Sequence, residues 1–461
     1  MELAASVADE VLVPGLAYTP PQVATYVQSR RHQTWWPAGS NVYSPGAGTR
    51  TVRFNLTDSA GLFLDLSTLR LAYRITNRDG GKPLQITGGT PTTIWGRARV
   101  MINGQLVEDS LYSNRVAGML TRLLPNDRAW SNSIQNLGGV VPGTRGAGTS
   151  VSQYGNGPIM EPIPANGSRN IVSLLPPLGI ASTHYLFPLR WVLSIELDLV
   201  TEARLCCATG NAGANSLDFR LEQVRLLGDS LVMDNAIQEQ LSTTLLAGSP
   251  LSMFISTYST VMNVIDATGG DFSVVLNIAL TRIKAILITF DNDAAITDSP
   301  FYTQSNLFLC WNGWEGANAG EIRDNGIGGP SEYDFARDTF SAQLAVGSTL
   351  YPDYPISSIG EAHYHLSKVL AHHSNLNGLA ITPVSYRSDG FIMGIDLEKM
   401  SGSPAGDVAL SGISTTGGEA IRLSWRGMAS RSADFRPNRC WMTVISDRIV
   451  ELRAEGVVVL S

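Results

Sequence analysis

The stretch Leu62–Ile75 decides the fold and reads LFLDLSTLRLAYRI. Leucine occupies every second position from Leu62 to Leu66, and apolar residues then resume at every second position from Leu69, one residue out of phase. A period of two places alternate side chains on opposite faces, which predicts a half-buried β-strand. The change of phase at Ser67-Thr68 indicates a β-bulge or a strand that passes from one sheet to another.

The same pattern recurs along the chain and predicts an all-β protein with short helices. Strand Leu217–Leu227 also changes phase, between Leu221 and Val224. Many short strands separated by turn residues favour a β-sandwich or barrel in each half. The other predicted strands are Val52–Leu56, Thr92–Ile102, Ile171–Leu175, Val192–Val200, Ser252–Tyr258, Phe272–Leu280, Ile283–Phe290, Leu307–Trp311, Gly390–Leu397, Ala420–Trp425, Trp441–Ile445 and Gly456–Leu460.

One amphipathic helix is predicted in each half. Ser358 and Glu361 have the spacing of a capping box, and apolar residues then repeat at helical spacing, so a helix is expected from Ile359 to about His373. In the first half, apolar residues at helical spacing follow Asp109-Ser110 and stop at Pro125. Strands, a helix and further strands therefore appear twice.

The composition narrows the class of protein. A chain of 461 residues exceeds the size of a single core and predicts two or three domains. Charged residues make up 16%, against about 25% in an average soluble domain, which excludes a disordered chain or a coiled coil. Such sparse charge suggests that an assembly covers much of the surface. A net charge of −7 offers no basic surface for sequence-specific nucleic-acid binding. No run of about 18 apolar residues is present that would span a membrane.

The sequence contains no recognisable catalytic motif. A phosphate-binding loop, a GxSxG turn, an HExxH helix and a GxGxxG turn are all missing from it. The four cysteines have no metal-binding spacing, and we expect buried free thiols in a reducing compartment. They are Cys206, Cys207, Cys310 and Cys440.

Two groups of residues are candidate metal sites. Histidines at 363, 365, 372 and 373 lack the i, i+4 spacing that ligands on one helix face need, so surface or interface histidines are the favoured interpretation. Oxygens of the Asp291–Asp298 segment suit Ca²⁺, but the spacing of an EF-hand is missing and a solvated turn is favoured. We therefore expect no metal, no cofactor and no enzymatic activity.

Tryptophans and arginines supply the candidate contact residues. Trp35-Trp36, together with Trp311 and Trp314, could stack on sugars, but aromatic residues in a core or an interface are more common. An arginine cluster near the end of the chain suits salt bridges between subunits better than nucleic acid, because the chain is acidic. The candidate inter-subunit residues are Trp35, Trp36, Arg426, Arg431, Arg436 and Arg439.

Two glycine-rich segments are too long for ordinary connections between strands. Gly138–Gly157 and Asn312–Gly329 exceed the usual length of a structureless loop. One interpretation places them on an outer or inter-subunit surface. Surface insertions without a role are the alternative.

Several segments resemble the double jelly-roll major capsid proteins of icosahedral double-stranded DNA viruses, in particular polinton-like viruses and related small eukaryotic DNA viruses. Together these segments cover about a third of the chain, and their order is that of the family. They are Pro177–Ile180 (PLGI), His184–Leu189 (HYLFPL), Leu193–Leu199 (LSIELDL), Tyr351–Ile356 (YPDYPI), Glu361–Leu366 (EAHYHL), Phe391–Lys399 (FIMGIDLEK) and Gly412–Thr415 (GIST).

The resemblance implies two consecutive eight-stranded jelly rolls, which we expect at residues 41–235 and 236–461. Residues 1–40 match no part of the family, and we expect an N-terminal arm there, because Pro14, Pro20 and Pro21 keep the chain extended. The resemblance also implies homotrimers that form pseudo-hexagonal capsomers and tile an icosahedral virion shell around the DNA. Minor capsid, cement or penton proteins would be its other partners, and an internal membrane beneath the shell is compatible with it. No cofactor is needed.

Two other classes remain open. A carbohydrate-binding or glycoside-cleaving protein built on two β-sandwiches would use a carboxylate pair, which the sequence does not single out. A minor virion protein would normally carry one jelly roll per chain.

Overall fold

The computed structural model describes most of the chain. The described residues are 26–46, 49–57, 61–86, 90–123, 140–141, 159–160, 162–183, 185–207, 214–266, 271–291, 339–373, 386, 391–399, 412–427 and 438–460.

The first half of the chain forms two antiparallel sheets that share one core. The larger sheet has the order β1-β12-β4-β10, with β2 also paired to β12 and β9 also paired to β4, and the smaller sheet has the order β3-β11-β5-β6. A separate pair joins β7 and β8. The strands are β1 Val27–Trp35, β2 Val42–Tyr43, β3 Thr51–Leu56, β4 Leu62–Asn77, β5 Trp95–Ile102, β6 Gln105–Leu111, β7 Val140–Val141, β8 Ile159–Met160, β9 Ser168–Ser173, β10 Leu186–Pro188, β11 Leu193–Leu199 and β12 Phe219–Met233.

The second half repeats this arrangement. Its larger sheet has the order β13-β20-β15-β18, with β21 also paired to β20, and its smaller sheet has the order β14-β19-β16-β17. The strands are β13 Leu251–Val264, β14 Phe272–Leu276, β15 Ile283–Asp291, β16 Thr339–Val346, β17 Thr349–Ser358, β18 Met393–Asp396, β19 Ile421–Arg426, β20 Arg439–Arg453 and β21 Gly456–Leu460.

Each half has eight strand positions. In the first half, β1 and β2 pair with successive parts of β12, and β10 and β9 pair with successive parts of β4 on its other side. In the second half, β15 and β21 share one side of β20 in the same way. Short strands that lie end to end therefore fill single positions, and each half is a sandwich of two four-position sheets, as predicted.

The described residues contain three α-helices: α1 Ser113–Leu123, α2 Asn235–Leu246 and α3 Ile359–His373. The bounds predicted for α3 are confirmed, and Ser358 Oγ accepts the backbone N–H of Glu361 at 3.2 Å. Helix α2 connects the two sandwiches and was not predicted. It buries only Leu245, so its sequence carries no amphipathic pattern.

The phase change in β4 is a β-bulge. Arg70 pairs with Leu227 and Asp65 pairs with Asp229, so four residues of β4 face the single residue Gly228 of β12. Thr68 closes the gap, because its hydroxyl donates to the backbone oxygen of Asp65 at 2.7 Å and accepts the backbone N–H of Asp229 at 2.9 Å. The strand stays in one sheet, which settles the choice that the sequence left open.

The phase change in β12 is a second bulge. Glu222 pairs with Arg74 and Arg225 pairs with Ala72, which leaves Gln223 and Val224 opposite one residue. Gln223 has a φ of 53°. Such a left-handed residue is a common way to accommodate an extra residue in a strand.

Strand β1 lies within the segment predicted as an arm. It pairs with β12 from Val27 to Trp35 and occupies an edge of the larger sheet. Asp229 of β12 holds it through an ion pair with Arg30 and a hydrogen bond with His32 Nδ1 at 2.9 Å. Most side chains of β1 are exposed, so the strand lacks the alternation that marks a buried face. Residues 27–35 of the expected arm therefore complete a sheet, and the sequence shows no strand pattern there.

Other differences arise where local hydrogen bonds compete with the strand pattern. Residues Pro91–Ile94 form a 3₁₀ turn, because Pro91 occupies its start and the Thr90 hydroxyl accepts the backbone N–H of Thr92. The predicted strand therefore begins only at Trp95. The strands that were not predicted are β1, β2, β6, β7, β8, β10, β16 and β17. The expected strand Leu307–Trp311 lies outside the described residues.

We predict that Thr68→Val lowers the free energy of unfolding by about 1–2 kcal/mol, because it removes both hydrogen bonds of the hydroxyl and leaves the Asp65 oxygen and the Asp229 N–H without this partner. Thr76→Val on the same strand removes only a 3.4 Å contact to Glu222 and is the matched control. Urea unfolding measures both. Equal losses in the two variants would contradict the role given to Thr68.

Candidate functional site at the junction of the two sandwiches

The two sandwiches interlock through their cores. Met119 and Leu123 of α1 belong to the apolar core of the second sandwich. Conversely, Met253 of β13 and Val450 of β20 belong to the core of the first sandwich. Each half therefore fills part of the other half's interior, and removing either half would expose apolar surface.

A buried ionic cluster lies at this junction. Asp291 at the end of β15 has a side chain 2% exposed and accepts from Arg115 of α1 at 2.7 Å. It also accepts from Arg439 Nε of β20 at 2.7 Å, so one carboxylate joins guanidinium groups from both sandwiches. Arg115 also donates to the Thr289 hydroxyl at 3.1 Å. This pairing offsets the cost of burying the three charges.

Trp441 covers the cluster. The guanidinium carbon of Arg115 lies 4.3 Å from the centroid of its ring, and Tyr112 packs edge-on against the same ring with centroids 4.8 Å apart. Burial lowers the pKa of Arg115 to about 10, against the opposing effect of Asp291. At neutral pH the guanidinium remains charged, so the cluster is a permanent ionic contact.

A second polar contact crosses the junction from Arg448 of β20 to the backbone oxygen of Val107, next to the buried Glu108 of β6. Both carboxylate oxygens lie 2.9 Å from the backbone nitrogen of Gly179, and Arg448 of β20 donates to the neighbouring Val107 oxygen at 2.8 Å. Burial raises the pKa of Glu108 to about 7, while the backbone N–H groups of Gly179 and Ile180 and the charge of Arg448 act in the opposite direction. This carboxyl group therefore titrates near neutrality.

Gly179 is required by the close approach of the two sandwiches. A Cβ atom at this position would lie 2.2 Å from the backbone oxygen of Ser256 in β13. Any other residue would push the two sandwiches apart. The glycine belongs to the PLGI segment, which carries part of the family resemblance.

A cavity of about 460 Å³ lies beside the ionic cluster. Apolar side chains that line it include Leu111, Tyr112, Met262 and Trp441, and Arg50 and Arg204 are among the charged ones. Residues from both sandwiches form its walls.

The candidate tryptophans differ in environment. Trp35 is half-buried and packs against the first core, where its ring lies over Gly228. Trp36 is 55% exposed. Trp36 therefore remains available for contact with another subunit, whereas Trp35 contributes to the fold.

The candidate arginines also differ in environment. Arg426 lies at the end of β19 and is exposed. Arg439 is bound to Asp291 within the chain, and Arg431 and Arg436 lie outside the described residues. An inter-subunit role stays a prediction for this cluster, with Arg426 as its exposed member among the residues described.

The interpretation of Asp291 as part of a solvated turn is wrong. The residue is buried, and arginines occupy both of its carboxylate oxygens, so it is not available to a cation. Residues 292–298 lie outside the described part of the chain. The described residues contain no group of three or more histidine, cysteine or acidic residues that could hold a metal ion.

Among the described residues, the histidines His363 and His365 and three of the cysteines pack within the fold. His363 packs edge-on against Tyr386 with ring centroids 5.0 Å apart, and His365 is buried. Burial lowers the pKa of both rings. The expected buried free thiols are confirmed at Cys206, Cys207 and Cys440, and Cys310 lies outside the described residues.

Sequence reasoning gave Asp291 and Arg439 other roles, and it did not single out Arg115 or Glu108. Glu108 lies in the middle of β6 and Asp291 at the end of β15, and nothing local distinguishes either from a solvated acidic residue. A charged residue inside an apolar run was the available signal: Asp291 directly ends the apolar strand AILITF. None of the described helices is long and apolar enough to cross a membrane.

Removing the Asp291 carboxylate should destabilise the junction. We predict that Asp291→Asn lowers the free energy of unfolding by about 3 kcal/mol or more, because two buried guanidinium groups lose their counter-ion. The exposed Asp353→Asn is the control and should change it by less than about 0.5 kcal/mol. Chemical unfolding followed by tryptophan fluorescence measures the difference, and equal effects would contradict the assignment.

Glu108 should make stability depend on pH. Its pKa is raised from the ordinary 4.5 to about 7 in the folded state, so the folded protein binds the proton more tightly than the unfolded chain. The resulting stabilisation is fully present below about pH 4.5 and is lost as the pH rises through 7.

We predict that Glu108→Gln is less sensitive to pH between 5 and 8 than the wild type, by up to about 3 kcal/mol in the free energy of unfolding, since each pKa unit is worth about 1.4 kcal/mol. The exposed Glu239→Gln is the control. Parallel stability profiles for wild type and Glu108→Gln would contradict the prediction.

Comparisons with known proteins identify the architecture. No protein-family model matches the sequence, and no curated protein matches it. Among solved structures, PBCV-1 VP54, as fitted into a reconstruction of the virophage Sputnik, is similar with a TM-score of 0.58 and 11% identity, over 96% of this chain and 99% of that chain.

Two further structures agree with this result. The Sputnik virophage structure determined by cryo-electron microscopy is similar with a TM-score of 0.58 and 12% identity, over 98% of this chain and 92% of that chain. The Faustovirus major capsid protein gives a TM-score of 0.55 and 9% identity, over 96% and 93% of the two chains. The two sandwiches of this chain, each with eight strand positions, therefore have the double jelly-roll fold of viral major capsid proteins.

Proposed function

We propose that the protein is a major capsid protein of an icosahedral double-stranded DNA virus. In this proposal it forms homotrimers that act as pseudo-hexagonal capsomers and tile the shell around the genome. The supporting observation is that the similarity to PBCV-1 VP54 and to the Faustovirus major capsid protein extends over both sandwiches, 96% of this chain in each case. A match of this extent includes the junction as well as each sandwich.

The junction favours an assembly unit. A capsomer keeps a fixed shape only if its two sandwiches do not move relative to each other. The interlocked cores and the buried ionic cluster oppose such movement. The sparse charge of the chain is consistent with flanks that are buried between copies. We infer a structural role without enzymatic activity and without a cofactor.

Domain limits and partners belong to the same proposal. We propose jelly rolls at residues 41–235 and 236–461, with residues 1–40 as an arm of which β1 is docked on the first sandwich. Minor capsid, cement or penton proteins would join the capsomers, and the protein would reside in the virion. An internal membrane beneath the shell is compatible with this role.

The mass of the purified protein in solution tests the proposal. We predict a species of three times the 49.5 kDa chain mass, or closed particles, by native mass spectrometry and light scattering. A stable monomer that binds or cleaves a carbohydrate would instead support the alternative class, and would overturn the capsid proposal.

The adjacent tryptophans provide a matched pair for this experiment. Trp36→Ala should reduce trimer or particle formation without lowering the unfolding temperature, because the ring is 55% exposed. Trp35→Ala should lower the unfolding temperature, because its ring packs on the first core. Unchanged assembly in Trp36→Ala would remove this residue from the inter-subunit contacts.

A further inference from the structure

Lys284, Asp447 and Glu398 form a buried cluster in the second sandwich, separate from the ionic cluster at Asp291. Lys284 Nζ lies 2.8 Å from Asp447 Oδ2 and 3.6 Å from Glu398 Oε1. The side chains of Asp447 and Glu398 are 3% and 7% exposed, and that of Lys284 is 15% exposed. An amine and two carboxyl groups therefore meet where little water is present.

The strands hold these groups in place. Lys284 is the extra residue at the register shift between Ile283 and Ala285 of β15, which pairs with β20. The backbone oxygen of Lys284 accepts the N–H of Leu397 at 2.7 Å, which places Glu398 beside it. Asp447 is fixed by its own backbone N–H, which donates to the Arg282 oxygen at 3.0 Å.

The contact between Lys284 and Asp447 differs from an aligned ion pair. Oδ2 is buried and has no hydrogen-bond partner among the described residues, although Nζ lies 2.8 Å from it. The other oxygen, Oδ1, accepts the Ser256 hydroxyl at 2.6 Å. One oxygen is thus polarised by a donor, and the other is without an aligned donor and close to the amine.

We propose that Lys284 and Asp447 form an intramolecular isopeptide bond that covalently joins β15 to β20. Nζ of Lys284 attacks Cγ of Asp447, the Nζ–Cγ bond forms and the Cγ–Oδ2 bond breaks. The ammonium group supplies two protons to Oδ2, which leaves as water, and its third hydrogen stays on the amide nitrogen. An ammonium and a carboxylate become a neutral amide and water, so charge and atoms balance without another reactant.

The neighbouring side chains suit this reaction. Glu398 takes a proton from the amine and returns it to the leaving oxygen, as a general acid–base does. The Ser256 hydroxyl stabilises negative charge on Oδ1 as the carbonyl carbon becomes tetrahedral. Holding the two reactants in contact replaces an encounter in solution. The neutral amide also avoids the cost of keeping an ion pair buried, which favours the product.

Intact-mass spectrometry of the purified, folded full-length chain tests the proposal. The wild type should be lighter than its sequence by the mass of one water molecule, and a protease digest should yield one branched peptide that contains Lys284 and Asp447. Lys284→Arg retains the charge but should show the full mass. A wild-type protein with the full mass and no branched peptide would overturn the proposal and identify the contact as an ion pair.

Two further variants separate the chemistry from the fold. Asp447→Asn should form the same amide with loss of ammonia, and so reach the same mass as the cross-linked wild type. Glu398→Gln should leave most of the protein at full mass while circular dichroism and the oligomeric mass stay unchanged. Complete cross-linking in Glu398→Gln would overturn the role of Glu398. Because mass reports the bond whether or not trimers form, failure here and failure of the capsid proposal are distinguishable.

Discussion

Asp291 is a buried carboxylate that accepts from guanidinium groups of both sandwiches, and the relation between the two halves depends on it. Arg115 reaches it from α1 of the first sandwich, and Arg439 reaches it from β20 of the second. Removing one partner of a buried ion pair destabilises a protein more than replacing the whole pair by apolar residues, because the remaining charge has no water to solvate it. The same helix α1 also inserts Met119 into the second core. Ionic and apolar contacts therefore stabilise the same junction and hold the two sandwiches together as one unit.

Many of the few charged residues of this chain form ion pairs within it. On the outer face of the smaller sheet in the first sandwich, Glu196 lies between Arg53 and Arg99, and Arg99 also pairs with Asp198. At the junction and in the second sandwich, charges again meet partners within the chain, as Lys284 does with Asp447. Much of the charge in the described residues is thus used in internal pairs.

Strand alternation was readable because each strand has one buried face. The bulges in β4 and β12 were readable for the same reason, since an extra residue must shift the apolar phase. Where an element buries little, the signal vanishes. Strand β1 is mostly exposed and α2 buries only Leu245, so neither shows a periodic pattern of apolar residues. Strand β1 forms because it pairs with β12, and α2 forms where the chain passes from one sandwich to the other.

Side-chain function was less predictable than the fold. The exposed Trp36 and the packed Trp35 are neighbours of the same type, and only the position of Gly228 beneath one ring distinguishes them. In the sequence Arg439 belongs to an arginine cluster that predicts a surface, whereas β20 places it against Asp291. Glu108 and Gly179 are 71 residues apart, and no local pattern connects them.

By itself, the sequence determined two β-rich halves, the phase of their strands, the position of α3 and the lack of any recognisable catalytic motif. These properties follow from periodicity and capping, which act over a few neighbouring residues. Only the tertiary structure decided which charges are buried, which tryptophan is exposed, and that Lys284 meets Asp447 across 163 positions of the chain. The physical reason is that burial and ion pairing depend on how distant strands come together, and the residues that meet carry no local mark of their partners.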